Sequence, residues 1–448
     1  MFLISYRLRD IPDDESVKAL LAGFCNMSLL ITKEYFRVVG RVLRVRNILV
    51  HVVSGFLLTF CSSVFAWVLP ILLSKIVGIY LTGLVYSIVN LISAFFYVSL
   101  GVLPDFIGRK LSLILSNAIS VLMFVLLSLW WYNPVVLSLI VFLGIIDIAL
   151  YDAAARSLLA ESAIKAGLGE YLGTVFSLTI SCSMIAFAIG SLISGYLINT
   201  LGYSKTFTIL LVLALVSLAL RFLYEETIET KKSIIFENPF SIFKQFTKLR
   251  NIRGILHIVT YVAFIGFGSG LVSIYNWIFL KDVIKMNMFL IGLTVSIIFI
   301  VSGIFQVLVT GRFIDKLGPL KILLIMHILE IPMLILFANS PSIIYAIIFI
   351  TILGILSTCC HAGYPVLIAK ITTEGIRATA YSTFESIMRL TMIPAPLIGA
   401  LLWKIDPKLI YYTLATLEIP TIIIITMLNK NLNMSNTYST VVVAKQNQ

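Results

Sequence analysis

Asp147 stands in the run Ile145-Ile146-Asp147-Ile148-Ala149-Leu150, an acid among aliphatic neighbours. A charged group at membrane depth costs several kcal/mol and ordinarily faces a partner or a water-filled path. Asp147 is therefore the leading candidate for holding a proton or cation; the bland alternative is a buried partner for a nearby Arg or Tyr. Glu385 and Arg389 are spaced by four residues, which on a helix makes an internal ion pair or leaves Arg389 to attract an anionic group. Glu330 and Glu418 are also flanked by apolar residues, and packing or hydrogen bonding explains them without further chemistry. His51, His257, His327 and His361 are scattered without metal-ligand spacing, and only His361 is a candidate for a ligand path. Asn90, Asn276, Gln306 and Tyr364 are polar candidates for the wall of such a path.

These residues need elements to position them, and composition says which kind. The 448-residue chain is 60% hydrophobic and 12% charged, whereas soluble domains carry roughly 25% charged residues. Apolar runs recur at about twenty residues, the length that crosses a ~30 Å hydrocarbon core at 1.5 Å per residue. Twelve spans are expected, at 48–73, 79–102, 111–131, 134–155, 171–198 and 207–224, then 254–280, 289–309, 320–337, 343–369, 381–403 and 409–428. The seventh and tenth are long enough to be tilted or broken, near Gly266/Gly268/Gly270 and near Tyr364–Pro365. Asp147 falls about thirteen residues, or about 20 Å, into the fourth.

The net charge of +12 resides in short connectors and not on a folded polar face, so it marks topology and not nucleic-acid binding. Even-numbered connectors and the N-terminal segment are rich in Lys and Arg, from Arg37, Arg41, Arg44 and Arg46 to Lys370 and Arg377. Odd-numbered connectors are poor in them. Both termini are therefore expected in the cytoplasm of a multi-pass cell-membrane protein. Residues 1–46 form a cytoplasmic segment with a basic amphipathic helix, in which Val38, Val39 and Val42 oppose the arginines, and Met27 is a candidate start. Residues 47–224 and 254–428 make two six-helix bundles, 225–253 a cytoplasmic linker with a candidate interfacial helix at 239–246, and 429–448 a cytoplasmic polar tail. The five cysteines indicate neither a disulfide framework nor a metal site, and no phosphate-binding glycine loop is present, which disfavours ATP hydrolysis by this chain.

Between the second and third spans runs Gly101-Val102-Leu103-Pro104-Asp105-Phe106-Ile107-Gly108-Arg109-Lys110. This resembles the signature G-x-L-x-D-x-x-G-R-K/R of the major facilitator superfamily, in the same loop, with all six specified positions filled. A weakened copy, Gly311-Arg312-Phe313-Ile314-Asp315-Lys316-Leu317-Gly318, follows about 210 residues later, as an internal repeat would give. A further echo pairs 167–176 with 375–384. The resemblance covers 47–428 and implies an all-α fold of two six-helix bundles related by internal repeat. In the family this loop latches the halves in the outward-facing state. The resemblance sets Asp105 against the start of the eleventh span and Arg109 against a carboxylate on the fourth, for which Asp152, shared with Arg156, is the expected partner. Lys110, Gly311, Asp315 and Gly318 complete the latch set.

Departures narrow the reading. The span-five stretch Gly190-Ser191-Leu192-Ile193-Ser194-Gly195 lacks the proline of drug/proton antiporters, although its glycines still allow close helix packing. Phe142 occupies about the place of that group's embedded arginine, and Glu225-Glu226-Thr227 replaces the Pro-Glu-Ser of sugar porters. The resemblance implies a monomeric secondary transporter without cofactors, surrounded by membrane lipid, moving a small solute by alternating access, driven by a proton gradient or passive. Drug or metabolite efflux and organic-solute transport both fit. The competing readings are a transport-inactive sensor on the same scaffold and an intramembrane enzyme. The latter would need clustered His, Asp or Cys at an interface.

Overall fold

The computed structural model describes residues 37–227, 254–306, 310, 314, 317–371 and 374–446. Every regular element among them is helical: α1 Arg46–Val102, α2 Pro104–Ile107, α3 Arg109–Trp130, α4 Pro134–Lys165, α5 Leu172–Leu201, α6 Tyr203–Arg221, α7 Ile255–Asp282, α8 Met288–Phe305, α9 Pro319–Ala338, α10 Ile343–Ile371, α11 Glu374–Met392, α12 Ala395–Ile405 and α13 Leu409–Gln446. The first two expected spans are two helices that meet at Gly78, whose φ 82° and ψ 166° are not helical, and they are labelled together as α1. Its 57 residues would extend about 85 Å if straight, so the break at Gly78 makes it two crossings.

Three expectations are corrected. The eleventh span is not one helix from 381 to 403 but two, α11 and α12, separated at Ile393–Pro394. Pro394 and Pro396 have no N–H to continue the ladder. The seventh and tenth spans are not broken: α7 runs through Gly266, Gly268 and Gly270, and α10 through Tyr364–Pro365. The glycines of α7 serve packing, because a Cβ at Gly266 would strike Met388 of α11 and one at Gly270 would lie 2.7 Å from the Ala395 Cβ of α12. Finally, α13 runs on to Gln446, well past the expected end at 428.

In the N-terminal helix, residues 37–42, Val38 and Val42 are buried against Ile48, Leu159 and Val175, so its apolar face meets α4 and α5, while Arg37, Arg41 and Arg44 are exposed. The 239–246 segment lies outside the described residues.

Helices α1 to α6 pack among themselves and α7 to α13 do likewise, with α1·α6 and α3·α6 in the first bundle matched by α7·α13 and α9·α13 in the second. The bundles meet along α5·α8 and along α1 with α7, α11 and α12. Helix alternation puts Arg46, Gly108, Tyr224 and Gly254 on one face, termed the termini face, and the Gly78, Trp131–Asn133, Gly202 and Asn339 turns on the opposite face. On the opposite side a single apolar core spans both bundles, from Trp67, Phe124 and Phe207 to Tyr275, Phe279 and Tyr411. On the termini side the cores are separate: Tyr261, Leu323, Phe384 and Ile425 in the second bundle, and in the first Leu113, Ala154, Leu158 and Tyr224 beside the Ile48 cluster.

The opposite-face seam depends on backbone contact. A Cβ on Gly195 of α5 would lie 2.8 Å from Met288 O, and one on Gly292 of α8 would lie 3.0 Å from Gly195 Cα. On the other side of the interface a Cβ on Gly83 of α1 would lie 2.5 Å from Pro396 O and 2.8 Å from the Ala400 Cβ of α12. The two bundles are thus closed against each other at one end.

Candidate functional site

The Asp147 carboxylate is gripped from α3. Ser116 Oγ donates to Oδ1 and Ser120 Oγ to Oδ2, each at 2.5 Å. Ser116 and Ser120 are one turn apart and fully buried, so a single face of α3 presents both hydroxyls. The anchorage directs the carboxylate into the first bundle. Arg221, at the end of α6, is also fully buried and within electrostatic reach of Asp147. Its Nη1 donates to Leu113 O at 2.6 Å, and its Cζ lies 5.3 Å from the Tyr151 ring centroid. A guanidinium keeps its charge at any physiological pH, so it supplies a permanent positive charge near the acid.

His51 belongs to the same polar interior. Its Nδ1 is 3.1 Å from the Tyr224 hydroxyl and its Nε2 3.2 Å from the Tyr151 hydroxyl. Ser54 reaches Tyr224 at 3.3 Å, and Asn117 donates to Ser217 at 2.8 Å. Sequence reasoning missed Arg221, which follows the apolar run Leu218-Ala219-Leu220 near the end of the sixth expected span. Its position at a helix end hides its burial from any reading of hydropathy.

The signature loop folds as a tight corner. Gly108 (φ 105°, ψ 154°) separates α2 from α3 in a backbone region essentially reserved for glycine. Gly318 at the start of α9 repeats the conformation (φ 82°, ψ 156°), so the closing glycines of the two copies match. Gly311 and Asp315 lie outside the described residues, as does the side chain of Asp105. Arg109 and Lys110 donate their backbone N–H groups to Glu226 at 3.0 and 3.2 Å, so a carboxylate from beyond α6 caps the positive end of α3. The Arg109 guanidinium lies 3.3 Å from Glu161 of α4, and Glu161 also accepts from the Thr227 hydroxyl. Asp152 lies 3.8 Å from Arg156, a local pair worth only a few tenths of a kcal/mol. The segment Glu225-Glu226-Thr227 thus ties the loop, α1 and α4 together, with Asn47 accepting from the Glu225 backbone N–H at 2.8 Å. Glu161 and Glu226 were not among the residues singled out from sequence.

At the bundle interface Asn90 of α1 donates to Met392 O of α11 at 3.3 Å. Met392 is three residues beyond Arg389, which lies 3.2 Å from Glu385. Asn90 thus meets the helix that carries the Glu385–Arg389 pair. His361 is exposed on α10, while Asn276 on α7 and Gln306 at the end of α8 are half-buried. Tyr364 turns toward Tyr261 in the second bundle (ring centroids 6.4 Å apart). There His327 of α9 lies between Glu330 and Glu418, with Tyr261 on its other side.

The sequence matches the profile of the Major Facilitator Superfamily over residues 52–396 and 258–436. An uncharacterised MFS-type transporter of Methanocaldococcus jannaschii is 23% identical over 380 residues, covering 82% of this chain and 90% of that protein. Among solved structures, a nucleoside transporter, NupG, superposes with a TM-score of 0.71 at 15% identity, over 85% of this chain and 99% of that one. A bacterial homologue of the iron transporter ferroportin, in an inward-facing state, gives 0.67 at 15% identity over 86% and 98%. A D-xylose–proton symporter gives 0.63 at 15% identity over 84% and 96%. With the family match running nearly the length of both bundles, the chain belongs to the Major Facilitator Superfamily and is a membrane transporter, not an enzyme.

Proposed function

We propose that this transporter is a secondary carrier that moves a small organic solute by alternating access, with both termini in the cytoplasm and with protons as the coupling ion. The observation that carries the reading is the unequal closure of the two ends. One apolar core joins the bundles at the opposite face, while the cores at the termini face belong to one bundle each. A rocking motion that exchanged these roles would carry a solute held at the seam from one side to the other. The Lys/Arg bias of the connectors supports a cytoplasmic termini face, which makes this arrangement inward-open.

Asp147 is the coupling residue in this proposal. Its direct partners are neutral hydroxyls, which can donate to a carboxylate or accept from a carboxylic acid, so the site accommodates both protonation states without losing its hydrogen bonds. Asn90, Glu385 and Arg389 are the solute contacts we favour. An acid and a base one turn apart at the seam suit a zwitterion or an organic acid. Reconstitution into vesicles with an imposed pH gradient, followed by screening of labelled organic solutes, tests the proposal. Accumulation that collapses with a protonophore supports it; accumulation indifferent to the gradient removes proton coupling.

A further inference from the structure

The second bundle contains a polar group that the proposed solute path does not use. His327 and Glu330 lie on α9, Glu418 on α13, Tyr261 on α7 and Cys360 on α10, and all five converge inside the bundle. Their surroundings are aliphatic, with Leu323, Leu367, Ile368 and Ile425 in the neighbouring core. His327 Nδ1 is 3.1 Å from Glu330 Oε2 and 2.7 Å from Glu418 Oε2. The imidazole is only 5% exposed and the two carboxylates 14% and 15%.

With both carboxylates ionised, the group is short of positive charge. An imidazole nitrogen carries at most one proton, so Nδ1 can donate to only one of the two oxygens it faces. When it donates to Glu330, Glu418 Oε2 is a buried carboxylate oxygen without a hydrogen bond. Two carboxylates opposite one imidazole leave a net negative charge even when the ring is cationic. Among the described residues no lysine or arginine pairs with either acid. A buried uncompensated charge is costly enough that a partner is expected.

We propose that His327, Glu330 and Glu418 bind one divalent first-row transition-metal ion, which pins α9 to α13. With a neutral imidazole, two carboxylates and a dication the group is neutral, as an aliphatic interior requires. Mixed imidazole and carboxylate donors are the set that suits zinc, manganese, cobalt or ferrous ions. Neighbouring ligands at ~2.1 Å from such an ion lie about 3.0–3.4 Å apart; the 3.1 Å separation from Nδ1 to Glu330 falls in this range, and the 2.7 Å one to Glu418 is shorter and would open on binding. All three donor atoms lie within 4.8 Å of one another. The Tyr261 hydroxyl, 3.2 Å from Nε2, holds the ring from behind, as the outer partner of a metal-bound histidine does. The site lies off the seam between the bundles, so the ion is a resident of the second bundle and not the cargo.

The test uses the full-length protein in detergent, free of any polyhistidine tag and stripped with EDTA, titrated with Co²⁺, Zn²⁺ or Mn²⁺ alone. Wild type is expected to take up one equivalent, to show cobalt d–d absorption and to unfold at higher temperature with metal present. His327→Gln and Glu418→Gln are each expected to weaken binding at least about 10-fold and to abolish the thermal shift. X-ray absorption on the zinc-loaded wild type, which needs no variant to fold, is expected to show one imidazole with oxygen donors. Absence of stoichiometric binding, binding that survives both substitutions, or a coordination shell of sulfur or water alone would each overturn the proposal. A stability change with pH but none with metal would make the group a proton site and overturn it equally.

Discussion

Gly108 lies directly beneath the carboxylate of Glu226, so that a Cβ at this position would run into Glu226 Oε2. The same carboxylate accepts the N–H groups of Arg109 and Lys110, which makes the signature turn and the cap of α3 a single unit. Gly108→Ala should therefore suffer twice. The backbone at φ 105° costs a non-glycine residue about 1–3 kcal/mol, and the methyl displaces the cap. We expect a clear fall in thermal stability with slower transport, measured as unfolding temperature and initial uptake rate. Glu226→Gln, which keeps the shape and loses the charge, should be milder in both.

Asp105→Asn and Arg109→Ala should slow transport while leaving folded protein near the wild-type level, because a latch biases one conformation and does not touch solute. Glu161→Gln should resemble Arg109→Ala, since it removes the other half of the 3.3 Å pair. Full turnover in Arg109→Ala or Asp105→Asn would end the latch assignment.

The Gly195–Gly292 crossing offers a test of the gate. Gly292→Trp cannot keep α8 in backbone contact with Ser191 and Gly195 of α5, so the opposite face should stay open. Transport should be lost at normal membrane yield. Single-cysteine probes near Gly195 should become reactive toward a membrane-impermeant reagent added to the opposite face. Unchanged labelling together with normal uptake would show that closure there is not required.

Topology can be checked independently of transport. If the proposed orientation holds, a cysteine placed in 228–253 of a cysteine-free background should react with impermeant maleimide only after permeabilisation. Ready labelling in intact cells would invert the orientation.

The fold was legible because hydrocarbon thickness sets a length, and length survives in sequence as apolar runs. The break at Pro394 was legible in principle, since two prolines flank it, whereas the Gly266–Gly270 run suggested a tilt or a break where the backbone instead accepts α11 and α12 at close range. The site was only partly legible. Asp147 is conspicuous in its apolar run, but Ser116 and Ser120 are ordinary residues of a different helix and gave no signal. His327 and Glu330 are separated by one turn on α9, yet their third partner, Glu418, comes from α13 and becomes adjacent only through packing. Arg221 and Glu226 were masked by lying at and beyond a helix end, where charges usually meet water.

Asp147 remains the residue on which the coupling proposal depends. If it carries the proton, Asp147→Asn should abolish gradient-driven accumulation while leaving equilibrium exchange largely intact, because exchange needs only the rocking motion and the solute contacts. If it is instead a structural anchor for α3, the amide leaves Ser116 and Ser120 imperfectly paired and the nearby Arg221 without its counter-charge. Removing one partner of a buried charge pair costs about 3–5 kcal/mol, so folded protein in the membrane should fall. The Ser116→Ala/Ser120→Ala double variant separates the two roles. It removes the grip and keeps the acid, so under the coupling reading it should still accumulate solute, with its pH profile displaced by the loss of two hydrogen bonds to the carboxylate. Accumulation, exchange and membrane yield measured side by side on both variants decide between the roles. Normal accumulation by Asp147→Asn at normal yield would exclude proton coupling through this residue.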